Sequence, residues 1–356
     1  MFWISMGRRA FLKMLTALLV LAAGARGGGA QAVPAGKRSR VVVVHDAGAS
    51  PGPGLDNADL DQETVRRMVN QGVIAFTGAA DLKSAWKKVI PDPSKRVAVK
   101  VNCQIKGIFT KAKVVQPVLE GLMLAGVPAD NIIVYDMTDN AFELAGFRRN
   151  LGAGVKVGKV ADFGGYSRIL YHRLANLLTG GHEYSVANLV SNALHAPAGR
   201  WDCDYLINVP VLKALDGYCG VTLSMKNHYG SIGNPGDHHK DIMDHIPLIN
   251  SQPEIKNKTR LIVMDAIFGE YKWVNGRDQS NVVRVNKVLV ARDTVAIDAT
   301  GWRMIDALRK EHALPAVAPR PEYIAKAAAI GLGVADPSQI ELVQLETGKG
   351  NGGRGR

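Results

Sequence analysis

The feature that most constrains the fold is a series of short apolar runs, each bounded by polar residues or by proline. The runs lie at residues 41–45, 96–102, 131–136, 205–210 and 260–265. They are rich in β-branched residues and alternate little, which is typical of strands that are buried on both faces of a sheet. Segments with helical periodicity separate most of them. The chain is therefore predicted to be an α/β protein, with a mainly parallel sheet and helices on both faces.

The segments between and after these runs complete the predicted domain, which covers residues 41–345. Helices are predicted at residues 62–76, 81–90, 112–125, 294–302 and 322–330, with Asp61, Asp81 and Asp293 as caps. Residues 282–285 and 287–291 are predicted to be paired strands around Asn286, and residues 340–345 a short strand. The pattern weakens over residues 152–200, which are predicted to be a cap or an insertion beside the sheet. The Gly/Arg-rich residues 346–356 are predicted to be a disordered tail.

Residues 1–32 have the features of a targeting segment. Arg8 and Arg9 are followed by an apolar stretch over residues 14–25 and by a small-residue site at residues 30–32. This apolar stretch is too short for a comfortable membrane span. We therefore expect a twin-arginine signal peptide, a tether over residues 33–40, and a periplasmic protein that the twin-arginine translocase exports already folded, with no stable span after cleavage. An ordinary secretory leader or an uncleaved anchor is the alternative.

The charge of the chain favours a small acidic ligand over nucleic acid. The formal net charge is +12; the leader contributes four basic residues and no acid, so residues 33–356 hold 40 basic and 32 acidic residues, a net charge of +8. This excess is moderate, and the chain has no aromatic-basic motif of the kind that stacks bases. A nucleic-acid partner is therefore not expected.

The three cysteines argue against an iron-sulfur cluster held by this chain alone. Cys103, Cys203 and Cys219 are widely spaced and form no C-x-x-C pair, whereas clusters and structural zinc sites need grouped thiolates. Their spacing leaves two possibilities open: one pair forms a disulfide, or all three are buried thiols.

Residues 205–245 are the part of the chain richest in ligand-binding groups. The apolar run is followed by lysines that supply positive charge, amides that supply donors and acceptors, and glycines that allow close backbone approach. The residues that we single out are Asn208, Lys213, Lys226, Asn227 and Gly230.

Polar residues of the other strands are expected to join this segment. Lys100, Asn102, Asp136 and Asp265 lie at or near predicted strand ends, and open parallel sheets bind ligands at the carboxyl ends of their strands. We expect one cleft in which lysines neutralise an anion while amides and the Gly230 backbone orient it. The alternative is a polar network that only joins the strand ends.

Three residues are the catalytic candidates in this cleft. His228 is the best acid/base candidate, because an unperturbed imidazole has a pKa of about 6.5. Lys213 and Lys226 are the other two.

A cluster of histidines and aspartates follows. His238, His239, Asp241 and His245 combine imidazole and carboxylate, which suits Zn²⁺, Fe or Ni, so a transition-metal site is one reading. The other is a polar loop whose histidines supply acid/base or hydrogen-bonding groups. His172, His182 and His195 are predicted to be ordinary surface or hydrogen-bonded residues.

Two sequence segments resemble a known family. "NVPVLKAL…GVTLSMKNHYGSI", beginning at Asn208, together with "VAVKVNC" at residues 97–103, resembles the DUF362 family, a domain of unknown function, in its form with a twin-arginine leader. The resemblance covers roughly residues 41–342. Some relatives carry a ferredoxin-like module with clustered cysteines, which this chain lacks.

These features lead to three functional hypotheses. The first is a periplasmic enzyme or redox-associated protein that binds an anionic or metal-containing cofactor in a Lys/Asn/His cleft. The alternatives are a non-catalytic binding protein for a small anion or metal, and an accessory subunit of a respiratory assembly. The sequence specifies no Ser-His-Asp order and no paired-carboxylate motif, so a hydrolase is not predicted.

Overall fold

A computed structural model describes residues 38–167, 186–190, 202–273 and 278–348. Its strands, in chain order, are β1 (Ser39–His45), β2 (Val97–Lys100), β3 (Ile132–Asp136), β4 (Lys156–Lys159), β5 (Tyr205–Asn208), β6 (Val211–Leu215), β7 (Gly220–Val221), β8 (Thr259–Glu270), β9 (Val282–Ala291) and β10 (Ile340–Glu346). The described α-helices are α1 (Gln62–Thr77), α2 (Leu82–Val89), α3 (Ala112–Ala125), α4 (Ser224–Asn227), α5 (Ile242–Ser251), α6 (Pro253–Lys256), α7 (Thr294–Glu311) and α8 (Glu322–Ala329).

The strands form one mixed sheet in the order β10-β1-β9-β8-β5-β2-β3-β4. Neighbours along this path pair in parallel, except that β9 is antiparallel to both β1 and β8. Strand β6 continues beside β8 in parallel and makes a short antiparallel pair with β7. The mainly parallel α/β fold predicted from the sequence is confirmed.

Alternate residues of each strand enter two different apolar layers, because successive side chains of a strand point to opposite faces. In β1, Val42 and Val44 join the layer that contains α1, α2 and α3. Val41 and Val43 join the layer on the other face, which contains α5, α7 and α8. The helices therefore cover both faces of the sheet, as the continuous apolar runs predict.

The helix caps also agree with the sequence. Asp61 accepts a hydrogen bond from the Thr64 amide at 2.8 Å, and Asp81 accepts one from the Ser84 amide at 2.9 Å. Asp293 accepts hydrogen bonds from two amides at the start of α7. Strand β4, which comes from the segment predicted to be a cap or an insertion, lies at one end of the sheet order.

Two strand predictions near the end of the chain are wrong. Strand β8 continues to Glu270, so Asp265 lies inside a strand and not at its end. The predicted pair of strands around Asn286 is the single strand β9, in which Asn286 has a φ of +53°. Asparagine tolerates this left-handed conformation. The pairing of β9 with β8 shifts register between Ala266 and Phe268, so the strand passes through the irregularity without turning back.

Several predictions lie partly or wholly outside the described residues. They are the leader (1–32), most of the tether (33–40) and of the tail (346–356), the three histidines His172, His182 and His195, and the parts of the predicted cap at 168–185 and 191–200. None of the described helices has the length and hydrophobicity that a membrane crossing requires.

Candidate ligand-binding site

A cavity of about 480 Å³ lies where β2 and β3 end, beside β6 and α4. Small-molecule sites commonly enclose roughly 300–1,000 Å³. Its polar wall is formed by Lys100, Asn102, Gln104, Asp136, Lys213, Thr222, Lys226, Asn227 and His239. The rest is formed by Ile105, Met137, Leu215, Tyr218, Tyr229, Gly230, Pro235, Gly236 and Trp273. The site therefore lies at the carboxyl edge of the parallel strands, where α/β folds bind their ligands.

A buried ion pair forms the floor of the cavity. The Lys100 Nζ donates to Asp136 Oδ1 at 2.6 Å, and both side chains are almost inaccessible to solvent. The other carboxylate oxygen accepts the Cys103 amide at 2.5 Å, and Oδ1 also accepts the Met137 amide at 2.7 Å. Because a buried charge is tolerated when it is paired and hydrogen-bonded, the charge of Lys100 is already balanced by the protein.

Three asparagines continue from this pair as a chain of hydrogen bonds. Asn227 Oδ1 accepts from Lys100 Nζ at 3.1 Å and from Asn102 Nδ2 at 3.0 Å. Asn227 Nδ2 donates to Asn208 Oδ1 at 2.7 Å, and Asn208 Nδ2 donates to the Ser224 carbonyl at 2.9 Å. These bonds hold α4 against β2 and β5. The polar network that the sequence offered as an alternative is therefore present, and it forms one wall of the cavity.

A second lysine joins the network from β6. The Lys213 Nζ donates to Asn102 Oδ1 at 2.9 Å. Burial lowers the pKa of Lys213, and the nearby Glu270 carboxylate opposes that effect. Glu270 is the register partner of Lys213 in the pairing of β6 with β8, so this cation has an acid near it.

Lys226 differs from both other lysines. Its side chain lines the cavity and is about 9% exposed, and its Nζ lies 3.4 Å from the centroid of the Tyr229 ring and 3.5 Å from His239 Nε2. Within the described residues it makes no ion pair with a carboxylate. Burial lowers the pKa of Lys226 to about 7; Cys219 opposes the shift, and the positive charges of Lys213 and Lys100 add to it.

The short helix that carries Lys226 and Asn227 is held from behind by a buried carboxylate. Asp298 in α7 accepts hydrogen bonds from the Ser224 amide at 2.8 Å and the Met225 amide at 3.1 Å. Asn250 of α5 donates to the Met225 carbonyl at 2.9 Å. Burial raises the pKa of Asp298 to about 7, against the lowering effect of its hydrogen bonds. Such contacts fix the direction of the Lys226 side chain.

The structure places His228 away from the cavity wall. It is 1% exposed, and its Nδ1 is 3.2 Å from Ser231 Oγ, which in turn lies 2.9 Å from the Tyr135 hydroxyl. Burial, with a further contribution from Lys100, lowers the pKa of His228 to about 3. Because His228 does not line the cavity, its position gives no support to the acid/base role expected for it, which stays a prediction.

The four residues considered as metal ligands are not gathered around one point. His238 and His245 are buried with their rings edge to face, at a centroid distance of 4.9 Å, whereas His239 lies at the cavity. Asp241 precedes α5. In the chain ranges that the structure describes, no three His, Cys, Asp or Glu residues are grouped so as to hold a metal ion.

Two other predicted site residues lie behind the cavity. Asn208 does not line the cavity, but its side chain accepts a hydrogen bond from Asn227, which does. Asp265 is buried within β8, where it accepts the Lys111 amide at 2.9 Å, and burial raises the pKa of its carboxyl against the effect of Lys111. The predicted residues that do line the cavity are Lys100, Asn102, Asp136, Lys213, Lys226, Asn227, Gly230 and His239.

The aromatic wall was not predicted from the sequence. Tyr218 lies edge to face with both His239 and Trp273, at centroid distances of 6.0 and 5.6 Å. Tyr218 and Tyr229 belong to the segment singled out in the sequence and could have been included on that ground. Trp273 follows β8, which pairs with β6 beside the site.

Comparison with known proteins places the site within a family. A family model described as "Domain of unknown function (DUF362)" matches residues 97–303, which is 207 of the 356 residues and includes every residue named above as lining the cavity. No curated protein matches the chain. This match confirms the family named from the sequence over these residues, and the chain belongs to the DUF362 family.

Proposed function

We propose that this protein binds a small organic anion in the cavity and acts on it as an extracytoplasmic enzyme. The observation that carries the proposal is Lys226: a buried amine that faces the cavity and has no acidic partner in the described residues. Because an isolated charge in a poorly solvated site is costly, an anionic ligand would supply the missing counter-charge.

The balance of charges around the cavity favours an anion over a cation. Lys100 is paired with Asp136, and Lys213 has Glu270 near it. When protonated, Lys226 adds one positive charge to these approximately neutral pairs. The ligand charge that best complements the site is therefore negative.

The rings around the cavity favour an organic ligand over a simple inorganic ion. Tyr218, Tyr229 and Trp273 occupy the wall together with Ile105 and Leu215. When apolar atoms of a ligand are buried against these side chains, the complex is stabilised by roughly 25 cal/mol per Å² of apolar surface removed from water. A carboxylate or phosphate attached to an apolar or planar body would use both parts of the wall.

Non-catalytic binding is the second candidate function. It is favoured by the asparagine chain, in which the amides satisfy one another and hold the site in one geometry. Measurement of turnover separates the two: a binding protein would return its ligand unchanged.

Export is part of the proposal. The leader-like residues 1–32 support a twin-arginine signal and a periplasmic location. A domain exported by this route would fold, and could take up its ligand, before it leaves the cytoplasm. Periplasmic fractionation of cells that express the chain with Arg8→Lys and Arg9→Lys tests this part; we expect retention in the cytoplasm.

The binding proposal is tested by titration calorimetry with phosphate, oxalate, benzoate and glyoxylate. We compare the wild type with Lys226→Met, and with Lys240→Met as a control that removes one positive charge from an exposed position of the following segment. Loss of a buried charge-charge contact is expected to weaken binding by at least about tenfold, which corresponds to roughly 1.4 kcal/mol. The control is expected to change affinity by less than about twofold.

A stability measurement accompanies the titration. Methionine fills a volume similar to that of lysine without a charge to desolvate, so Lys226→Met is expected to fold as well as the wild type. Equal affinity of the wild type and a folded Lys226→Met for every anion would remove Lys226 from the binding site and overturn the proposal.

A further inference from the structure

We propose that Lys226 is a nucleophile that forms an imine with a carbonyl group of the bound anion, so that the ligand class is an oxo acid or an anionic aldehyde. This inference rests on the proposed function and names its substrate class. It is carried by the difference between Lys226 and the other lysines of the same cavity.

The amines of the other two lysines are occupied as hydrogen-bond donors. The Lys100 Nζ donates to three oxygens, those of Val101, Asp136 and Asn227, at 2.5, 2.6 and 3.1 Å. The Lys213 Nζ donates to Asn102. Both amines are therefore held by oxygens of the protein and are not free to approach a carbonyl carbon.

The surroundings of Lys226 offer few groups that would stabilise its amine in the protonated form. Its Nζ lies over the face of Tyr229, and its one polar neighbour in the described hydrogen bonds is His239 Nε2 at 3.5 Å. The face of an aromatic ring attracts a cation but does not accept a conventional hydrogen bond from it. A neutral imidazole nitrogen, in contrast, can accept a proton from the amine. Desolvation of a lysine beside other cations is a known way to make it nucleophilic.

The titratable and charged groups that face the Lys226 amine come from several elements. They are Lys100 of β2, Lys213 of β6, Cys219 of the turn between β6 and β7, Tyr229 after α4, and His239. In the part of the chain that the structure describes, no carboxylate is among them. Because the pKa of Lys226 is lowered to about 7, its neutral fraction at pH 7 is much larger than that of an ordinary lysine, which has a pKa of about 10.4.

The reaction balances without an oxidant or a reductant. The lone pair of the neutral Nζ forms a bond to the carbonyl carbon, and the carbonyl π pair moves to oxygen. Transfer of one proton from nitrogen to this oxygen gives the neutral carbinolamine. The hydroxyl then leaves as water by taking up the second nitrogen proton, and the imine forms. His239 lies within reach of Nζ to accept and return these protons, and its pKa is lowered by burial first and by Lys226 second.

The remaining polar groups of the site suit the charged end of such a ligand. The amide of Asn102 and the ammonium of Lys213 are joined to each other and line the same cavity as Lys226. They can receive a carboxylate while the carbonyl carbon meets the amine. Tyr218, Tyr229 and Trp273 line the same cavity and would pack against the apolar part of the ligand.

The inference is tested by reductive trapping on the full folded protein. Glyoxylate is the probe, sodium cyanoborohydride reduces the imine to a stable amine, and mass spectrometry of the intact protein and of its peptides counts and locates the adducts. We expect one adduct per chain at Lys226, formed at least about tenfold faster at pH 7 than on exposed lysines, because of its larger neutral fraction. The rate is expected to level off above pH 8, whereas that of ordinary lysines continues to rise towards pH 10.

Lys226→Arg separates this inference from the proposed function. Arginine keeps the positive charge but does not deprotonate, so the variant is expected to retain anion binding in calorimetry and to give no adduct at position 226. Lys240→Arg is the matched control and is expected to be labelled at Lys226 as fast as the wild type.

The outcomes distinguish the two proposals. Anion binding by the wild type without preferential trapping at Lys226 would overturn the nucleophile and leave the binding site standing. Trapping spread evenly over surface lysines counts against the nucleophile in the same way. If the wild type binds none of the anions and gives no adduct, both proposals fail.

Discussion

Gly230 lies at a point where the buried ion pair leaves no space for a side chain. A Cβ at this position would be 2.7 Å from Asp136 Oδ1, 2.8 Å from Lys100 Cε and 2.9 Å from Lys100 Nζ. Because Lys100 is fixed by three hydrogen bonds, it cannot move aside without breaking some of them. Gly230→Ala is therefore expected to lower the free energy of unfolding by roughly 2–4 kcal/mol, as partial loss of a buried pair does, and to weaken anion binding.

Denaturant unfolding and calorimetry measure these two effects. Gly152→Ala is the control, because the nearest atom to its added Cβ, Asn150 Oδ1, is at an ordinary contact distance of 3.5 Å. If the two alanine variants are equally stable, the packing around Gly230 is looser than the structure indicates.

Asp298 makes the stability of the site region depend on pH. Burial raises its pKa from 3.8 to about 7, so the folded state binds a proton that the unfolded state has released. This contribution to stability is complete below about pH 4 and is lost as the pH rises through 7. Relative to Asp298→Asn, which does not titrate, the wild type is expected to lose roughly 1.4 kcal/mol per pH unit between pH 5 and 7 and little more above pH 8.

Urea unfolding of both proteins at pH 5, 6, 7 and 8 tests this dependence. The difference between the two proteins cancels the titration of groups that they share. A difference that does not vary with pH would show that Asp298 titrates at the same pH in the folded and unfolded states.

At the scale of single residues, the types of side chain in the cavity were predicted better than the direction in which each side chain points. Lysines and asparagines at strand ends were expected at one cleft, and Lys100, Asn102, Lys213 and Asn227 all line it. His228 was expected there too, but the one-turn helix α4 and the 3₁₀ turn at His228–Ser231 direct its ring inward. Side-chain direction after a strand depends on the turns that follow, which periodicity does not specify.

At the scale of elements, α2 and α3 approach so closely that one helix must carry a glycine. A Cβ on Gly121 of α3 would lie 2.0 Å from ring atoms of Trp86 in α2. Gly121→Ala should gain about 0.5–1 kcal/mol from helix propensity, but overpacking of a filled core costs about 1–3 kcal/mol or more. We therefore expect net destabilisation, seen as a lower Tm.

The same substitution in a Trp86→Ala background checks the cause. With the ring removed, the clash disappears and Gly121→Ala should become neutral or stabilising, since only the propensity gain is left. Destabilisation of equal size in both backgrounds would mean that another contact of Gly121 is responsible.

Helices, whose limits follow from nearby residues, were predicted more accurately than strands, whose limits depend on pairing with other strands. The span of α3 (Ala112–Ala125) agrees with the predicted 112–125, and the aspartate caps lie where the sequence puts them. In contrast, β9 was divided at Asn286 because asparagine with polar neighbours is typical of turns. The twelve-residue strand β8 pairs along its length with β9, and this long-range pairing keeps the chain extended at Asn286.

At the scale of the whole molecule, the strand order was beyond sequence reasoning. The last strand, β10, pairs with β1, and β9 lies between β1 and β8. Strands β2, β3 and β6, which contribute residues to the cavity, come from three different parts of the chain. Parallel strands and helices follow from local patterns, but the order of strands depends on which faces fit together.

The oxidation state of the three cysteines depends on whether the protein is exported folded, as proposed, or unfolded. All three are buried free thiols. Burial raises the pKa of Cys203 to about 11 and that of Cys219 to about 12, and it raises the pKa of Cys103 well above its usual value. A thiol that is both buried and protonated reacts slowly with oxidants. A chain that folds in the cytoplasm and is exported folded would therefore keep its thiols reduced, whereas a chain exported unfolded would expose them to an oxidising compartment.

A thiol count on the protein recovered from the periplasmic fraction tests this proposed route. After unfolding in guanidinium, the wild type is expected to react with three equivalents of a thiol reagent per chain, and the native protein with almost none. A version in which residues 1–32 are replaced by a leader for unfolded export is expected to give fewer thiols and disulfide-linked species, because its cysteines meet the oxidant before they are buried. One thiol per chain in the wild type would instead reveal a disulfide formed after export, and would contradict both the buried free thiols and transport in the folded state.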